Sequence, residues 1–470
     1  MYPSAGAAVP EELNGTGSAG PGESARRDRS GSGHTAPLHR IGGNHVVSRI
    51  SGSGKRRVGA TIAALMVASV SACGEGPGGG ADTSEPGSPI KVAFEVPLTG
   101  AFAANGLNQK NGFELGLDTF GREVDGHPIE VRYIDTKGDP ATALTSARQI
   151  VQEGVTVFQG PLVSSESAAV TPYLAQQNVP VDDLTLCSEV QLDSWQKNGN
   201  GYSSGWSCDH PALMAAQWAY EDMGWRNITI AAQDFSFGWE VAGGFKTAFE
   251  SLGGTINQAI WVPLNATDVS SYVSQIPQDT DAVYAEMSGV FAVRFIDAYK
   301  SFGLTGKVPL VGITQLTDQS VLPQLNREGA LGVITGAQYC DGIDTPENQE
   351  FVAAYKEKFD LYPGYYSDAG YVKAQIMVEA LKSLDGDYSD PKAIAEALQS
   401  VNIEAPRGPV EISDKTHSPI QNVYMCEVQE IDGDLRNVPF KTFENVPPEG
   451  PLDYEEWEAH FRSDSAGRPE

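Results

Sequence analysis

Cysteine is scarce in this chain, five in 470 residues, and no CxxC pair occurs. With no histidine at ligand spacing to the cysteines either, a structural zinc site has nothing to hold it. There is no P-loop, no HExxH and no evident pair of catalytic carboxylates, so neither a cofactor nor a metal is expected and nucleotide hydrolysis would have to be the work of another chain. Basic residues are few: 32 Lys and Arg against 61 Asp and Glu give a net charge of −29. Residues 1–72 carry +4 of that balance, which leaves −33 on the remainder. Such a surface repels phosphate backbones, which argues against nucleic acid, and reads as a solvated acidic face.

What is present begins with an ordered series near the N-terminus. Residues 1–54 are rich in Gly, Ser and Arg without apolar periodicity and are set aside as a disordered extension, or as the result of a start codon placed too far upstream, with Val46 or Val47 giving a leader of ordinary length. Lys55, Arg56 and Arg57 then precede Val58–Val70, an apolar and small-residue run shorter than the ~20 residues a bilayer span needs. Residues 55–72 thus read as an export signal. Val70, Ser71, Ala72 and Cys73 complete a lipobox, in which the Cys73 thiol takes a diacylglyceryl group and the chain is held at the outer face of the cell membrane. An ordinary signal cleavage beside an accidental cysteine, or a short buried helix, are the alternatives. The tether "GEGPGGGADTSEPGSP", Gly74–Pro89, would give a reach of roughly 20–24 Å.

The remaining ~400 residues suffice for two domains. With Cys73 set apart, Cys187, Cys208, Cys340 and Cys426 make an even set outside the membrane, which suggests two disulfides in one of three connectivities. The Asn-Gly-rich stretch between Cys187 and Cys208 can turn the chain back and favours that pair, leaving Cys340 for Cys426. From Ile90 onward, strand-length apolar runs ("IKVAFEV", "IEVRYID", "VTVFQG", "VPVDDL") alternate with single helices, and the pattern restarts after Cys208 with "NITIAAQ", "TINQAIWV", "DAVYAEM", "VPLVGI" and "GVITGAQY". This predicts an α/β protein of two lobes with parallel sheets and right-handed crossovers. A mostly helical stretch, 348–400, followed by two antiparallel strands, suggests that the chain recrosses between the lobes.

"VPLTGAFAANG", "QGPLVSSES", "AAQDFSFGWEVAGGFKTAFESLGG" and "DAVYAEMSGVFAVRFIDAYKSFGL" occur in an order and spacing that resembles the type I periplasmic binding proteins, over about residues 90–430, and within them the branched-chain amino-acid-binding components of ABC importers. The resemblance implies two Rossmann-like lobes joined by a three-crossing hinge, residues 90–207 with 341–407 and residues 208–340 with 408–445, followed by an acidic tail over 446–470. It implies no enzymatic activity, a monomer, a small-molecule ligand (amino acid, amide or carboxylate) held between the lobes, and as partners permease subunits with their cytoplasmic ATPases. By the resemblance, Ser164, with Ser165 beside it, falls where the family binds the ligand carboxylate; a plain helix N-cap is the alternative. Thr185 falls at a backbone contact, Cys187 near a threonine position, with Ser188 able to supply the hydroxyl, and Phe237 at an aromatic position. Phe102, Phe235 and Trp239 offer flat apolar surface, or serve as core. Thr314 stands in the place of the family's ammonium-binding glutamate. Unless Glu286, Asp234 or Glu166 supplies that charge, an α-amino acid would bury an unpaired ammonium, so an amide, carboxylate or aromatic acid is as well suited as leucine.

Two other function classes use the same residues. A sensor passing occupancy to a signalling partner shares the fold. "GYSSG", Gly201–Gly205, matches the G-x-S-x-G of a serine esterase with Ser203 as nucleophile, but the Asn-Gly turns before it place it in a loop, whereas a nucleophile elbow needs a strand before and a helix directly after.

Overall fold

Uninterrupted apolar strands between single helices build two sheets in the computed structural model, which describes residues 87–462. The export signal, Cys73 and most of the tether lie outside the described residues. The first sheet takes β1 (Ile90–Val96), α1 (Ala103–Phe120), β2 (Glu123–Val124), β3 (His127–Asp135), α2 (Pro140–Glu153), β4 (Val157–Gln159), α3 (Ser164–Gln176), β5 (Val181–Leu186), α4 (Glu189–Asn198) and β6 (Gly201–Ser207). Its order is β2-β3-β1-β4-β5-β6, parallel except for the β2 edge.

The second sheet follows with α5 (His210–Glu221), β7 (Asn227–Gln233), α6 (Ser236–Ser251), β8 (Thr255–Val262), α7 (Ser270–Val273), β9 (Ala282–Glu286), α8 (Val290–Ser301), β10 (Leu310–Ile313), α9 (Arg327–Ala330) and β11 (Ile334–Ala337). The chain then returns to the first sheet as α10 (Pro346–Phe359), α11 (Tyr365–Lys382) and α12 (Pro391–Ser400). Helix α11 lies directly on α1: a Cβ at Gly112 would fall 1.8 Å from the Ser367 carbonyl, so only glycine allows this approach. Finally β12 (Ile403–Ala405), β13 (Gly408–Ile412), β14 (Pro419–Ile431) and β15 (Asp434–Val446) extend the second sheet antiparallel to β11, and α13 (Tyr454–Phe461) closes the described chain. Doubly wound α/β architecture and two sheets joined by three passages of chain are thus as expected. Both disulfides are present, Cys187–Cys208 and Cys340–Cys426, with Cα separations of 5.1 and 6.7 Å. No helix among the described residues is long and apolar enough to cross a membrane.

Three local readings change. "GYSSG" is no loop but the interior of β6, buried throughout and parallel to β5. Its glycines are there for contact: a Cβ at Gly201 would meet Trp195 Nε1 at 2.3 Å, and one at Gly205 would meet the Leu184 carbonyl at 2.1 Å. Ser203 donates to Leu184 O at 2.9 Å and accepts from the amides of Gly205 and Trp206, both at 3.2 Å. It is buried mid-strand, which removes the esterase reading. The third passage comes before Ile403 rather than after Arg407, because "IEA" pairs with β13 as a hairpin too short to show a period. The segment read as an acidic tail contains α13, whose Trp457 is buried with its indole donating to Asp209 Oδ2 at 2.8 Å, while Glu455 and Glu456 are exposed.

Candidate functional site

In open parallel sheets the space beyond the carboxyl ends of the strands collects loops and helix N-termini, and the two sheets bring theirs together here. After β1, "PLTGAF" places Phe102 just before α1. Its ring lies against Gly138, at positive φ, where a Cβ would come within 3.3 Å of it. After β4, Leu162 and Val163 lead to Ser164, the first residue of α3. After β7, Phe235 precedes Ser236, the first residue of α6, and Phe237 follows. The hydroxyls of Ser164 and Ser236 meet at 2.8 Å, one from each sheet's helix. Ser164 is therefore no N-cap: Glu166 serves the helix end instead, accepting from the Val163 amide at 3.4 Å.

Beside this pair, with Ser164 in its wall, lies a narrow cavity of about 30 Å³ lined by Phe102, Leu162, Val163, Ser164, Leu184, Thr185, Trp206, Phe235, Phe237, Ser288, Gln315 and Tyr366. Its aromatic wall is continuous. Phe102 and Phe235, from opposite sheets, stack with centroids 6.4 Å apart, Phe235 and Phe237 are 6.0 Å apart, and Trp206 lies 5.8 Å from Phe237. A second contact between the halves, Asn105 Nδ2 to Ser320 Oγ at 3.0 Å, holds the same closed arrangement.

Of the residues expected from the sequence, Phe102, Ser164, Thr185, Phe235 and Phe237 line this cavity and the others do not. Ser165 is the next residue of α3. Cys187 is taken up by its disulfide, 3.1 Å from the Thr185 hydroxyl, and Ser188 caps α4 by accepting from the Gln191 amide at 3.3 Å. The Trp239 indole donates to Asp234 Oδ1 at 2.9 Å. Thr314 belongs to a separate small pocket with Asp318, Tyr339 and Asn437, while Gln315, one residue on, reaches the cavity. The chain passes at that point from β10 into a 3₁₀ turn, Thr314–Leu316, which changes which side chain faces inward.

No carboxylate lines the cavity among the described residues. Glu286 is buried; its Oε2 accepts from the Gln233 amide at 3.1 Å, and burial pushes its carboxyl up to about 8, so that it is neutral at pH 7. Glu166, in the first turn of α3, is likewise pushed up to about 7 by burial. What the cavity offers is hydroxyls, two helix N-termini with their positive ends inward, and aromatic faces. That combination suits a small flat anion better than a zwitterion. No cluster of three or more His, Cys, Asp or Glu that could hold a metal ion occurs among the described residues.

A family model described as periplasmic binding protein matches residues 89–434. The chain belongs to that family. It is 30% identical over 363 residues to a Leu/Ile/Val-binding protein homolog of Brucella melitensis, covering 76% of this chain and 92% of the relative. Its fold matches an ABC transporter substrate-binding protein from Sphaerobacter thermophilus with a TM-score of 0.72 and 30% identity, over 76% of this chain and 98% of that one. A solute-binding protein of an ABC transporter from Rhodopseudomonas palustris, solved with 3,4-dihydroxybenzoic acid, matches with a TM-score of 0.72 and 27% identity over 77% and 98% of the two chains. This is a type I periplasmic binding protein of the branched-chain amino-acid type, and such binding proteins are not enzymes. Sequence reasoning missed several of its cavity residues. Trp206 was hidden by reading β6 as a loop, and Tyr366 comes from a helix remote in sequence.

Proposed function

We propose that this periplasmic binding protein is the lipid-anchored, extracytoplasmic substrate-binding subunit of an ABC importer and that it captures a small aromatic carboxylate. The observation that carries the ligand class is the start of α3 at the aromatic-walled cavity, where Ser164 lines the wall and is held at 2.8 Å by Ser236 from the start of α6. A carboxylate placed there receives hydrogen bonds and two helix-dipole ends without meeting a competing acid. The ring then packs against the wall that Phe102 and Phe235 form, one from each half, so that binding favours the closed cleft. The Rhodopseudomonas relative, with its dihydroxybenzoate, supports the same class.

Calorimetric titration with benzoate, 4-hydroxybenzoate and leucine tests the reading. An aromatic acid should bind tightest, and Ser164→Ala or Ser236→Ala should each weaken it by about 0.5–3 kcal/mol with the fold intact. Binding of leucine alone would sink it. The anchor rests on the lipobox and is tested separately: Cys73→Ser should leave ligand affinity unchanged and shift the protein from the membrane fraction or stall its processing, since a diacylated cysteine is what gives stable attachment. Unchanged fractionation and processing would refute the anchor.

A further inference from the structure

Between β10 and β11 the second half carries residues 317–320, Thr-Asp-Gln-Ser, none of which lines the cavity. The segment is fastened to β15 of its own half: Thr317 Oγ1 donates to Asn437 Oδ1 at 2.8 Å, Asn437 Nδ2 donates to the Thr317 carbonyl at 2.9 Å, and Gln319 Nε2 donates to the Leu435 carbonyl at 3.1 Å. The side chains of Asp318 and Ser320 reach the first half instead. Ser320 Oγ accepts from Asn105 Nδ2 at 3.0 Å. Asp318 Oδ2 accepts from the Tyr365 amide at 2.6 Å, while its Oδ1 takes the Ser320 amide at 2.8 Å and so holds the segment in shape. Tyr365 opens an 18-residue helix, so the carboxylate meets the positive end of α11 as well as an N–H.

Two acceptors are thus fixed on one half and two donors on the other. The donors move together, because Asn105 is on α1 and Tyr365 on α11, the two helices that meet at Gly112. Glycines also let the halves approach. A Cβ at Gly364 would lie 2.3 Å from Asp318 Oδ2, and one at Gly289, just before α8 in the second half, would lie 2.8 Å from the Ala101 carbonyl in the first. At 2.8 Å from backbone, a Cβ forces the two surfaces apart.

We propose that Asp318 and Ser320 form a latch that catches Asn105 and the start of α11 when the cleft closes, with Gly289 as the clearance that permits full closure, and that this latch sets how long a ligand is retained rather than which ligand is chosen. Rotation of the halves gives both latch bonds up to water, while the bonds from 317–320 to β15 stay within one half. A bond made only in the closed form multiplies the closed population by the same factor whatever ligand is inside. Entry takes place through the open form, which lacks the latch, so dissociation carries the effect and association does not. The inference rests on binding by hinge closure, as in the reading above, and is independent of the aromatic class.

The test is stopped-flow binding of benzoate, 4-hydroxybenzoate and leucine to the full mature chain, followed by tryptophan fluorescence, with Trp206 in the cavity wall as reporter. Ser320→Ala should raise the dissociation rate of every acid that binds roughly 3- to 10-fold, and Asp318→Asn, which turns an NH₂ towards the Tyr365 amide, roughly 10- to 100-fold. Gly289→Ala should act in the same direction. Association should stay within about twofold of wild type, and the unfolding midpoint of unliganded Ser320→Ala should not move. Unchanged dissociation in Ser320→Ala and Gly289→Ala would overturn the latch. So would a loss that differs between ligands, which places these residues in recognition, or a slower association with a lowered midpoint, which makes the segment merely structural. Binding of leucine alone would overturn the aromatic reading and leave the latch to be judged by the same rates. If none of the three binds, small-angle scattering of the unliganded protein decides: wild type more compact than Gly289→Ala supports the latch, and equal dimensions overturn it.

Discussion

Replacing Lys373 with methionine should destabilise the protein by about 3–5 kcal/mol, the cost of stranding a buried charge. Lys373 is fully buried on α11; its Nζ donates to Asp182 Oδ1 at 2.6 Å and to the carbonyls of Asp182 and Asp183, both at 2.8 Å. All three ammonium protons are thereby used. Without them Asp182 Oδ1 is left with the Ser204 amide at 3.1 Å, fully buried and next to Asp183, whose own carboxyl burial already pushes up to about 7. Urea unfolding should show the midpoint falling with an unchanged slope. A loss below ~1 kcal/mol would mean that the pair is hydrated and that α11 is held by packing alone. The companion change Lys373→Met with Asp182→Leu should recover much of the loss, because apolar replacement of both partners removes the desolvation cost. The pair also ties α11, which carries Tyr366, to β5, which carries Leu184 and Thr185, all three in the cavity wall.

The parts of this fold that could be read from sequence are those whose burial is written in residue type. "IKVAFEV" and "NITIAAQ" are buried on both faces of their sheets and so are nearly continuous apolar runs, which only a parallel sheet between helices requires. β6 is equally buried, yet its sequence is "GYSSGWS", because close approach of Trp195 and Leu184 demands glycine and the Ser203 hydroxyl is satisfied by the backbone. Composition therefore points to a loop where tertiary contact makes a strand. Helix α13 fails for the opposite reason: Glu455, Glu456 and Glu458 make it read as a solvated tail, while Trp457 and Phe461, four apart, share one buried face.

The site was legible wherever it depends on the chain immediately after a strand. Phe102, Ser164, Thr185, Phe235 and Phe237 all stand at or just past strand ends, where the geometry of open α/β sheets puts ligands. The other lining residues are harder to reach by that route. Gln315 is displaced by a single step of a 3₁₀ turn, and Tyr366 arrives from the second return of the chain, so its presence depends on the three passages between halves rather than on any local pattern.

The sharpest consequence concerns the α-amino group. Phenylalanine and 3-phenylpropanoate share a ring, a chain and a carboxylate, and differ only in the ammonium. At pH 7 the deaminated acid should bind more tightly, on the order of a hundredfold, because a buried unpaired ammonium costs several kcal/mol. Each acid that could have paired with it is otherwise engaged: Glu286 is held neutral by burial and bonded to the Gln233 amide, Glu166 serves the Val163 amide, and Asp234 accepts from the Trp239 indole. The only inexpensive escape is to bind the amino acid as the neutral amine. Its cost is that of deprotonation, about 1.4 kcal/mol for each pH unit below the amine's pKa, and so it shrinks as pH rises. Leucine against 4-methylpentanoate should show the same sign if either binds measurably. Titration of both acids from pH 7 to 9 therefore separates two molecules: one whose preference for the deaminated ligand narrows with rising pH, as expected here, and one that prefers the amino acid already at pH 7, in which case Glu286 is ionised against its burial and the ligand is a zwitterion.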